Sequence, residues 1–316
     1  MIRITWIGFH EEGIKAFSGV LEKGYSVNGF ITLNEEAFQK RSAGSREYEQ
    51  LCKDHNVPYF TVDTIKGDEA FQIVEKLKPD LLVVLGWSEI LPERLLEIPT
   101  IGTIGTHAAL LPHNRGSAPI NWALIHGENR TGNTMMWLDP QVDAGAIIDQ
   151  MAFDISMYDT CKTLYDKVAE TNEAMLLKLL ENLENGIKPE CGIKNETDEP
   201  ILPRRRPKDG LINWNQPGKD VYNFIRAVTD PYPGAFSYLE GKKWLIWKAT
   251  LLPLQSKAEP GTILGTAYGF SDNTCGYLIS TMDDVLQITE IESEEGIRYT
   301  GPELNLLRLG GIMKNE

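Results

Sequence analysis

The sequence predicts an α/β domain with a mostly parallel, doubly wound sheet, followed by a small β-barrel-like C-terminal domain. Three observations support this fold class. Short apolar runs alternate with amphipathic segments in the first half, residues 81–85 are continuously apolar, and short strand-like runs separated by turns fill the last third. A continuous apolar run of that length is typical of a strand covered on both faces.

The elements of the first domain follow in order. Strands are predicted at residues 3–9, 26–32, 58–62 and 81–85, and amphipathic helices at 13–21 and 68–77. This alternation predicts parallel strands with helices on both sides, and functional sites beyond the carboxyl ends of the strands. The first strand leads into residues 8–13, GFHEEG, which do not match G-x-G-x-x-G. A dinucleotide site is therefore not expected there.

The second half contains a long helix, a polar stretch and a set of short strands. The helix is predicted at residues 160–185, and the stretch that follows is polar and rich in proline. A helix at 219–228 precedes strands at 235–239, 244–249, 261–264, 276–280 and 285–288. The predicted domains are therefore 1–187 and 211–316, joined by a linker at 188–210.

Composition and charge limit the classes of function. The chain has 316 residues, of which 42% are apolar and 24% charged, with a formal net charge of −14. That charge argues against a protein that wraps a polyanion. The four cysteines are widely separated, without a C-x-x-C pair, so reduced thiols are expected rather than a zinc site. With no apolar run long enough to span a membrane and no secretion signal, a cytoplasmic location is expected.

The segment that carries chemistry follows residue 105. Residues 106–123 are THAALLPHNRGSAPINWA and residues 139–145 are DPQVDAG, which places Asp143 36 residues after His107. This series resembles the folate-dependent formyltransferase family, whose pattern is His-x-Ser/Ala-Leu-Leu-Pro-x-x-Arg-Gly, then Pro-x-x-Trp, then Asp-x-Gly with the same spacing. The resemblance implies the formyltransferase type of sheet, N10-formyltetrahydrofolate as co-substrate, and a primary amine as acceptor.

His107 and Asp143 are the predicted catalytic residues. The amine loses a proton as it attacks the formyl carbon, and the folate N10 gains one as it leaves, so a histidine that titrates near neutral pH suits both steps. A neighbouring carboxylate stabilises the imidazolium and orients the ring. A metal site from His107, His113 and Asp143 lacks helical i, i+4 spacing, and no metal is expected.

The resemblance also implies residues that contact the folate, namely Glu89, Ile90, Leu91, Asp139, Pro140, Gln141 and Val142. For Ile90 and Leu91 the alternative is a place in the core. Arg115 is a candidate for contacting a phosphate or carboxylate of the acceptor, and a structural or surface arginine is the alternative.

One position departs from the family pattern. The family has an asparagine two residues before the histidine, whose amide stabilises the developing oxyanion, and here that residue is Gly105. Three explanations are open. Another donor such as Asn114 or Thr103 takes over, a backbone N–H or water occupies the space left at Gly105, or the activity is weak.

The acceptor is suggested by the C-terminal half. Residues 203–214, PRRRPKDGLINW, and residues 225–236 resemble the two-domain members of the family, which excludes the single-domain glycinamide ribonucleotide type. Residues 211–316 contain nine Lys and Arg against thirteen Asp and Glu, a net charge of −4, which disfavours tRNA. Arg204 and Arg205 are candidates for a pyrophosphate. A nucleotide-linked amino sugar is the first choice of acceptor and methionyl-tRNA the second, with a formyl-folate hydrolase or binding module if Gly105 disables transfer.

Overall fold

The structure, a computed structural model, describes residues 2–41, 44–189, 199–268, 275–307 and 309–315. The chain divides into two units, each assembled from several segments. The first comprises residues 1–119, 130–154 and 164–203, and the second comprises residues 120–129, 155–163 and 204–316. The predicted linker at 188–210 includes residues 190–198, which lie outside the described residues.

A seven-stranded sheet forms the centre of the first unit. Its strands are β1 (Ile4–Ile7), β2 (Val27–Leu33), β3 (Tyr59–Val62), β4 (Leu81–Val84), β5 (Gly102–His107), β6 (Arg130–Trp137) and β7 (Ile147–Asp154). They lie in the order β3-β2-β1-β4-β5-β6-β7. Strands β1 to β5 are parallel, and β6 and β7 are antiparallel to their neighbours. The prediction of a mostly parallel, doubly wound sheet is confirmed.

Helices cover both faces of this sheet. Those of the first unit are α1 (Ile14–Glu22), α2 (Glu35–Gln39), α3 (Glu47–Asp54), α4 (Asp68–Leu77), α5 (Glu93–Leu96) and most of α7 (Cys161–Glu184). Apolar residues of α1 and α7 pack into one core cluster, and those of α4 and α5 pack into another. In the described part of the chain, no helix has the length and hydropathy needed to cross a bilayer.

Strand β4 shows why a continuous apolar run predicts a strand covered on both faces. Leu81 and Val83 belong to the cluster on the α1 and α7 side, whereas Leu82 and Val84 belong to the cluster on the α4 and α5 side. Successive side chains of a strand point to opposite faces, so every residue of this strand must be apolar when both faces are covered.

Strand β1 is shorter than predicted, because the chain turns out of the sheet after Ile7. The amides of Phe9 and His10 both donate to the carbonyl oxygen of Gly86, at 3.0 and 2.9 Å. These bonds direct the chain into the turn at Glu11–Gly13, beyond the carboxyl end of β1. That end lies where the strand order reverses, between β1 and β4.

The second unit contains the C-terminal antiparallel sheet. Its strands are β8 (Ala235–Leu239), β9 (Lys242–Leu252), β10 (Ile263–Ala267), β11 (Gly276–Ser280), β12 (Val285–Glu292) and β13 (Arg298–Thr300). They lie in the order β10-β11-β12-β9-β8, and β13 pairs with β12. The unit also contains α6 (Pro119–Ile125), except for its first residue, with α8 (Gly218–Val228) and α9 (Leu304–Leu307).

The last described residues join the two edges of this sheet. Lys314 exchanges backbone hydrogen bonds with Tyr238 on β8, at 2.8 and 2.9 Å. The amide of Met313 donates to Gly261 just before β10, and the amide of Ile263 donates to Gly311. This segment therefore bridges β8 and β10, which gives the sheet the barrel-like closure that the sequence predicts.

The carboxyl group of Glu12, just beyond β1, lies in an environment that disfavours its charged form. Burial raises the pKa of Glu12 from 4.5 to about 7. The folded protein therefore binds a proton at Glu12 more tightly than the unfolded chain does. Its stability falls as the pH rises from about 4.5 to about 7, because the ionised carboxylate must then remain buried.

We expect Glu12→Gln to raise the melting temperature at pH 8 and to change it little at pH 4.5. The amide carries no charge at either pH, so the variant avoids the cost of the buried carboxylate, on the order of 1 to 3 kcal/mol. Thermal unfolding at both pH values measures the difference. The matched control is Glu11→Gln at the exposed neighbouring position. An equal shift for the two variants at pH 8 would contradict the assignment.

Candidate active site

His107 is the last residue of β5 and lies buried at the carboxyl edge of the parallel strands. Its Nε2 is 2.8 Å from the carbonyl oxygen of Asn114, and its Nδ1 is 3.6 Å from Oδ2 of Asp143. The structure therefore brings together the two predicted catalytic residues, which are 36 positions apart in the sequence. Both ring nitrogens therefore face oxygen atoms.

Asp143 is held by the loop that follows β5. The amide of Gly116 donates to Asp143 Oδ2 at 2.9 Å, and the Arg115 guanidinium donates through Nη2 to the carbonyl oxygen of Val142. Asp143 itself has a φ of +50°, in the left-handed region that residues with a Cβ adopt at some cost. The two hydrogen bonds oppose that cost and fix the carboxylate beside the imidazole.

Two glycines are required by close approaches of the backbone. A Cβ on Gly145 would lie 1.6 Å from the carbonyl oxygen of Trp137. Gly116 has a φ of +114°, and a Cβ there would lie 2.5 Å from the carbonyl oxygen of Leu202. Both the Asp-x-Gly and the Arg-Gly motifs thus contain glycine for steric reasons.

The Leu-Leu-Pro segment is fixed against β6. The amide of Leu111 donates to the hydroxyl of Thr134 at 3.1 Å, and that hydroxyl donates to the carbonyl oxygen of Ala109 at 2.6 Å. Thr134 and Leu111 are both buried. The chain that leaves His107 is therefore anchored before it turns toward Asn114.

The space beside Gly105 is filled by Leu138. A Cβ on Gly105 would lie 2.7 Å from Cδ2 of Leu138, so Leu138 occupies the place where a side chain at position 105 would begin. Thr103, two residues earlier, directs its hydroxyl to the carbonyl oxygen of Leu96 at 3.4 Å. The explanations that the sequence left open, namely another donor, a backbone N–H or water, and weak activity, stay predictions.

The loop after β4 contains Glu89, Ile90 and Leu91. Oε2 of Glu89 accepts hydrogen bonds from the hydroxyl of Thr64 and the amide of Ile65, both at 3.0 Å, and its Oε1 pairs with Arg41. Ile90 is 53% exposed, whereas Leu91 is buried in the core. The contacts of Glu89 thus hold the loop in place, and Ile90 is an apolar side chain that the loop presents to solvent.

The loop after β6 contains the other residues predicted to contact the folate. Oδ1 of Asp139 accepts the amide of Gln141 at 3.0 Å, which closes a tight turn. Pro140 and Gln141 are exposed, and Val142 is half-buried with its carbonyl oxygen bound to Arg115. Their contact with a folate stays a prediction.

The predicted substrate arginines of the second unit differ in environment. Arg204 is exposed. The Arg205 guanidinium lies 5.2 Å from the ring centre of Trp122 and 5.3 Å from that of Phe224, and it donates to the carbonyl oxygen of Asp209. Burial lowers the pKa of Arg205 from its ordinary value. This cation–π packing gives Arg205 a structural role within its unit.

Sequence reasoning missed Leu138 and Arg41 as residues that shape the site. Nothing in the local sequence distinguishes a leucine that covers a glycine from an ordinary core leucine. Within the described residues, no group of three or more His, Cys, Asp or Glu side chains is arranged to hold a metal ion.

Comparison with known families decides the identity. Residues 26–180 match the family described as formyl transferase, and residues 205–305 match the formyl transferase C-terminal domain. The chain belongs to the formyltransferase family. The second match agrees with the two-domain type that the sequence predicts.

One similar formyltransferase-family relative is the bifunctional polymyxin resistance protein ArnA of Wigglesworthia glossinidia brevipalpis, at 36% identity over 266 residues. The match covers 83% of this chain and 40% of ArnA. The chain therefore spans less than half the length of this relative.

Two solved structures share the fold. HypX from Aquifex aeolicus, in complex with tetrahydrofolic acid, has a TM-score of 0.69 at 21% identity, over 97% of this chain and 47% of that chain. An N-formyltransferase from Helicobacter canadensis, in complex with folinic acid and dTDP-3-aminofucose, has a TM-score of 0.64 at 18% identity, over 95% of this chain and 100% of that chain.

We expect His107→Asn to abolish formyl transfer and Asp143→Asn to lower kcat by about 100-fold or more. Asparagine at 143 keeps an oxygen for the Gly116 amide and removes only the negative charge. Steady-state assays measure kcat, and circular dichroism checks folding. His113→Asn, at an exposed histidine paired with Glu199, is the control. Turnover within tenfold of the parent in either active-site variant would contradict its assignment.

We expect Gly105→Asn alone to be destabilising, because its Cβ meets Leu138. Shortening Leu138 makes room, so the double variant Gly105→Asn/Leu138→Ala should fold and place an amide two residues before His107. Relative to Leu138→Ala alone, we expect its kcat to be about 10- to 1,000-fold higher. Equal kcat values for the double variant and Leu138→Ala would instead show that another donor already stabilises the oxyanion.

Proposed function

We propose that the chain transfers the formyl group of N10-formyltetrahydrofolate to the primary amine of a nucleotide-linked amino sugar. The observation that carries this proposal is the placement of His107 between the Asn114 carbonyl oxygen and the Asp143 carboxylate, at the carboxyl edge of the sheet. A buried imidazole with a carboxylate partner can take a proton from an attacking amine and hold it as imidazolium.

The folate is proposed to lie against the loops after β4 and β6. The ends of β4 and β5 are adjacent and point the same way, so the loop with Ile90 and the imidazole of His107 lie at one edge of the sheet. The exposed side chain of Ile90 supplies an apolar surface that suits a flat heterocycle. The co-substrate supplies the formyl group, and the side chains of this chain supply the proton transfers and the orientation.

The amino-sugar acceptor is supported by relatives and by charge. The Helicobacter structure contains dTDP-3-aminofucose together with folinic acid. The net charge of −4 over residues 211–316 opposes tRNA binding, which needs a basic surface. Arg204 is exposed and suits a pyrophosphate, whereas the corresponding role for Arg205 competes with its packing against Trp122 and Phe224.

The alternatives are methionyl-tRNA formylation and hydrolysis or simple binding of formyl-folate. Hydrolysis and simple binding are favoured by the apolar contact between Gly105 and Leu138, since position 105 then has no side-chain donor where the family has asparagine. A cytoplasmic reaction is the proposed setting, since the buried Cys52 and Cys161 are reduced thiols in the structure.

The test is a panel of nucleotide-linked amino sugars, charged initiator tRNA and no acceptor, each mixed with N10-formyltetrahydrofolate. We expect formyl transfer to at least one amino sugar, with an acceptor KM that rises with salt if Arg204 contacts the pyrophosphate. His107→Asn is the control for uncatalysed transfer. Formylation of methionyl-tRNA alone, steady release of formate without acceptor, or saturable binding without turnover would each contradict the proposal.

A further inference from the structure

Three consecutive residues make the contacts that position both catalytic side chains. The carbonyl oxygen of Asn114 lies 2.8 Å from Nε2 of His107, the side chain of Arg115 donates to the Val142 carbonyl oxygen, and the amide of Gly116 donates to Asp143 Oδ2. Asn114 and Gly116 both have left-handed backbone angles, with φ of +56° and +114°. This backbone conformation turns the carbonyl of Asn114 toward His107 and the amide of Gly116 toward Asp143.

We propose that residues 114–116 act as a positioning element that selects the tautomer of His107 and holds Asp143 beside Nδ1. In this element Arg115 is a positioning residue that acts through the Val142 carbonyl. Its sequence-based assignment to the acceptor stays a prediction, and the two roles lead to different kinetics.

The tautomer follows from the chemistry of the Asn114 contact. A carbonyl oxygen only accepts, so Nε2 of His107 must carry a proton to bond with it. The neutral ring then has its lone pair on Nδ1, the nitrogen that faces Asp143. A backbone carbonyl that fixes one nitrogen of a histidine determines which nitrogen is left to act as a base.

The proton balance is then defined at each atom. As the C–N bond forms between the amine and the formyl carbon, the amine proton passes to Nδ1, and the resulting imidazolium faces the Asp143 carboxylate. As the formyl carbon separates from the departing nitrogen, the same proton leaves Nδ1 for that nitrogen. Nε2 keeps its own proton, hydrogen-bonded to the Asn114 carbonyl oxygen, throughout, so the ring returns to its starting tautomer.

The environment of Arg115 suits positioning. Its Nη2 is engaged by the Val142 carbonyl oxygen, and its Nε is buried and lacks a hydrogen-bond partner within the described residues. Val142 immediately precedes Asp143, whose left-handed backbone needs support. Loss of the Arg115 contact releases the residue before Asp143, and displacement of a catalytic group by about 1 Å costs roughly 100-fold in rate.

Kinetics of Arg115→Lys separate the two roles, on the basis of the proposed formyl transfer. Lysine keeps the positive charge but not the fork of N–H donors. A positioning role predicts a kcat about 10- to 100-fold lower, with the acceptor KM within about threefold of the parent. Arg204→Lys is the matched control, expected to raise KM with little change in kcat. A raised acceptor KM at an unchanged kcat for Arg115→Lys would overturn the positioning role.

Nitrogen-15 NMR of histidine-labelled protein tests the tautomer without any substrate, so its result is independent of the proposed function. In the neutral form of the ring, we expect His107 to show a protonated Nε2 and a pyridine-like Nδ1, with a slowly exchanging Nε2 proton. The spectrum of His107→Asn identifies the signal among the five histidines. A neutral His107 protonated on Nδ1, or one with an Nε2 proton that exchanges as fast as that of exposed His113, would overturn the proposal.

Discussion

The hydrogen bond from the Gly116 amide to the Asp143 carboxylate is the contact on which the site depends. It joins the loop after β5 to the loop after β6, and these loops start far apart. Trp137 at the end of β6 pairs with Ile104, three residues before His107, which is about 10 Å along the strand. The loop after β6 must therefore fold back along β5 for Asp143 to reach the imidazole. The hydrogen bond from the Gly116 amide to the Asp143 carboxylate holds the loop there.

This return path explains the residue types on the loop. Gly145 passes so close to the Trp137 carbonyl oxygen that no side chain fits, and the left-handed conformation of Asp143 makes the reversal. The Arg115 side chain, which donates to the Val142 carbonyl oxygen, secures the residue just before that reversal. The motif residues therefore hold the backbone of the loop in its path as well as supplying the side chains of the site. A loop that folds back leaves the strand, so its backbone N–H and C=O groups need hydrogen-bond partners elsewhere.

The fold was largely predictable because its elements follow simple hydrophobic periods. Helix α4 occupies the predicted residues 68–77, and the predicted strand at 81–85 appears as β4 with its residues divided between two core clusters. Helix α3 was not predicted, since it fully buries only Tyr48 and Cys52 and most of its other residues are charged or polar. Edge strand β7 was missed for a similar reason, because none of its residues is fully buried and its sequence lacks an alternating apolar pattern.

The site was predictable only in part, and for a different reason. The pairing of His107 with Asp143 came from a resemblance in motif order and spacing, since no period of helix or strand relates residues 36 apart. The contact between Arg115 and Val142 could not be predicted from the sequence, because its acceptor is a backbone carbonyl, which every residue has. The amino-acid type at position 142 therefore gives no sign of this contact.

The space beside Gly105 on β5 could not be predicted from the sequence. The sequence shows that the family asparagine is missing, and a glycine at that position suggests open space. The fold fills this space with Leu138, whose amide donates to the Thr103 carbonyl oxygen at 2.8 Å and whose side chain then lies over Gly105. The face of β5 beside His107 is therefore apolar where the family places an amide. In the proposed transfer, the donor to the developing oxyanion is therefore not a side chain at position 105. The polar groups that face His107 come instead from the loops, as the Asn114 carbonyl oxygen and the Asp143 carboxylate.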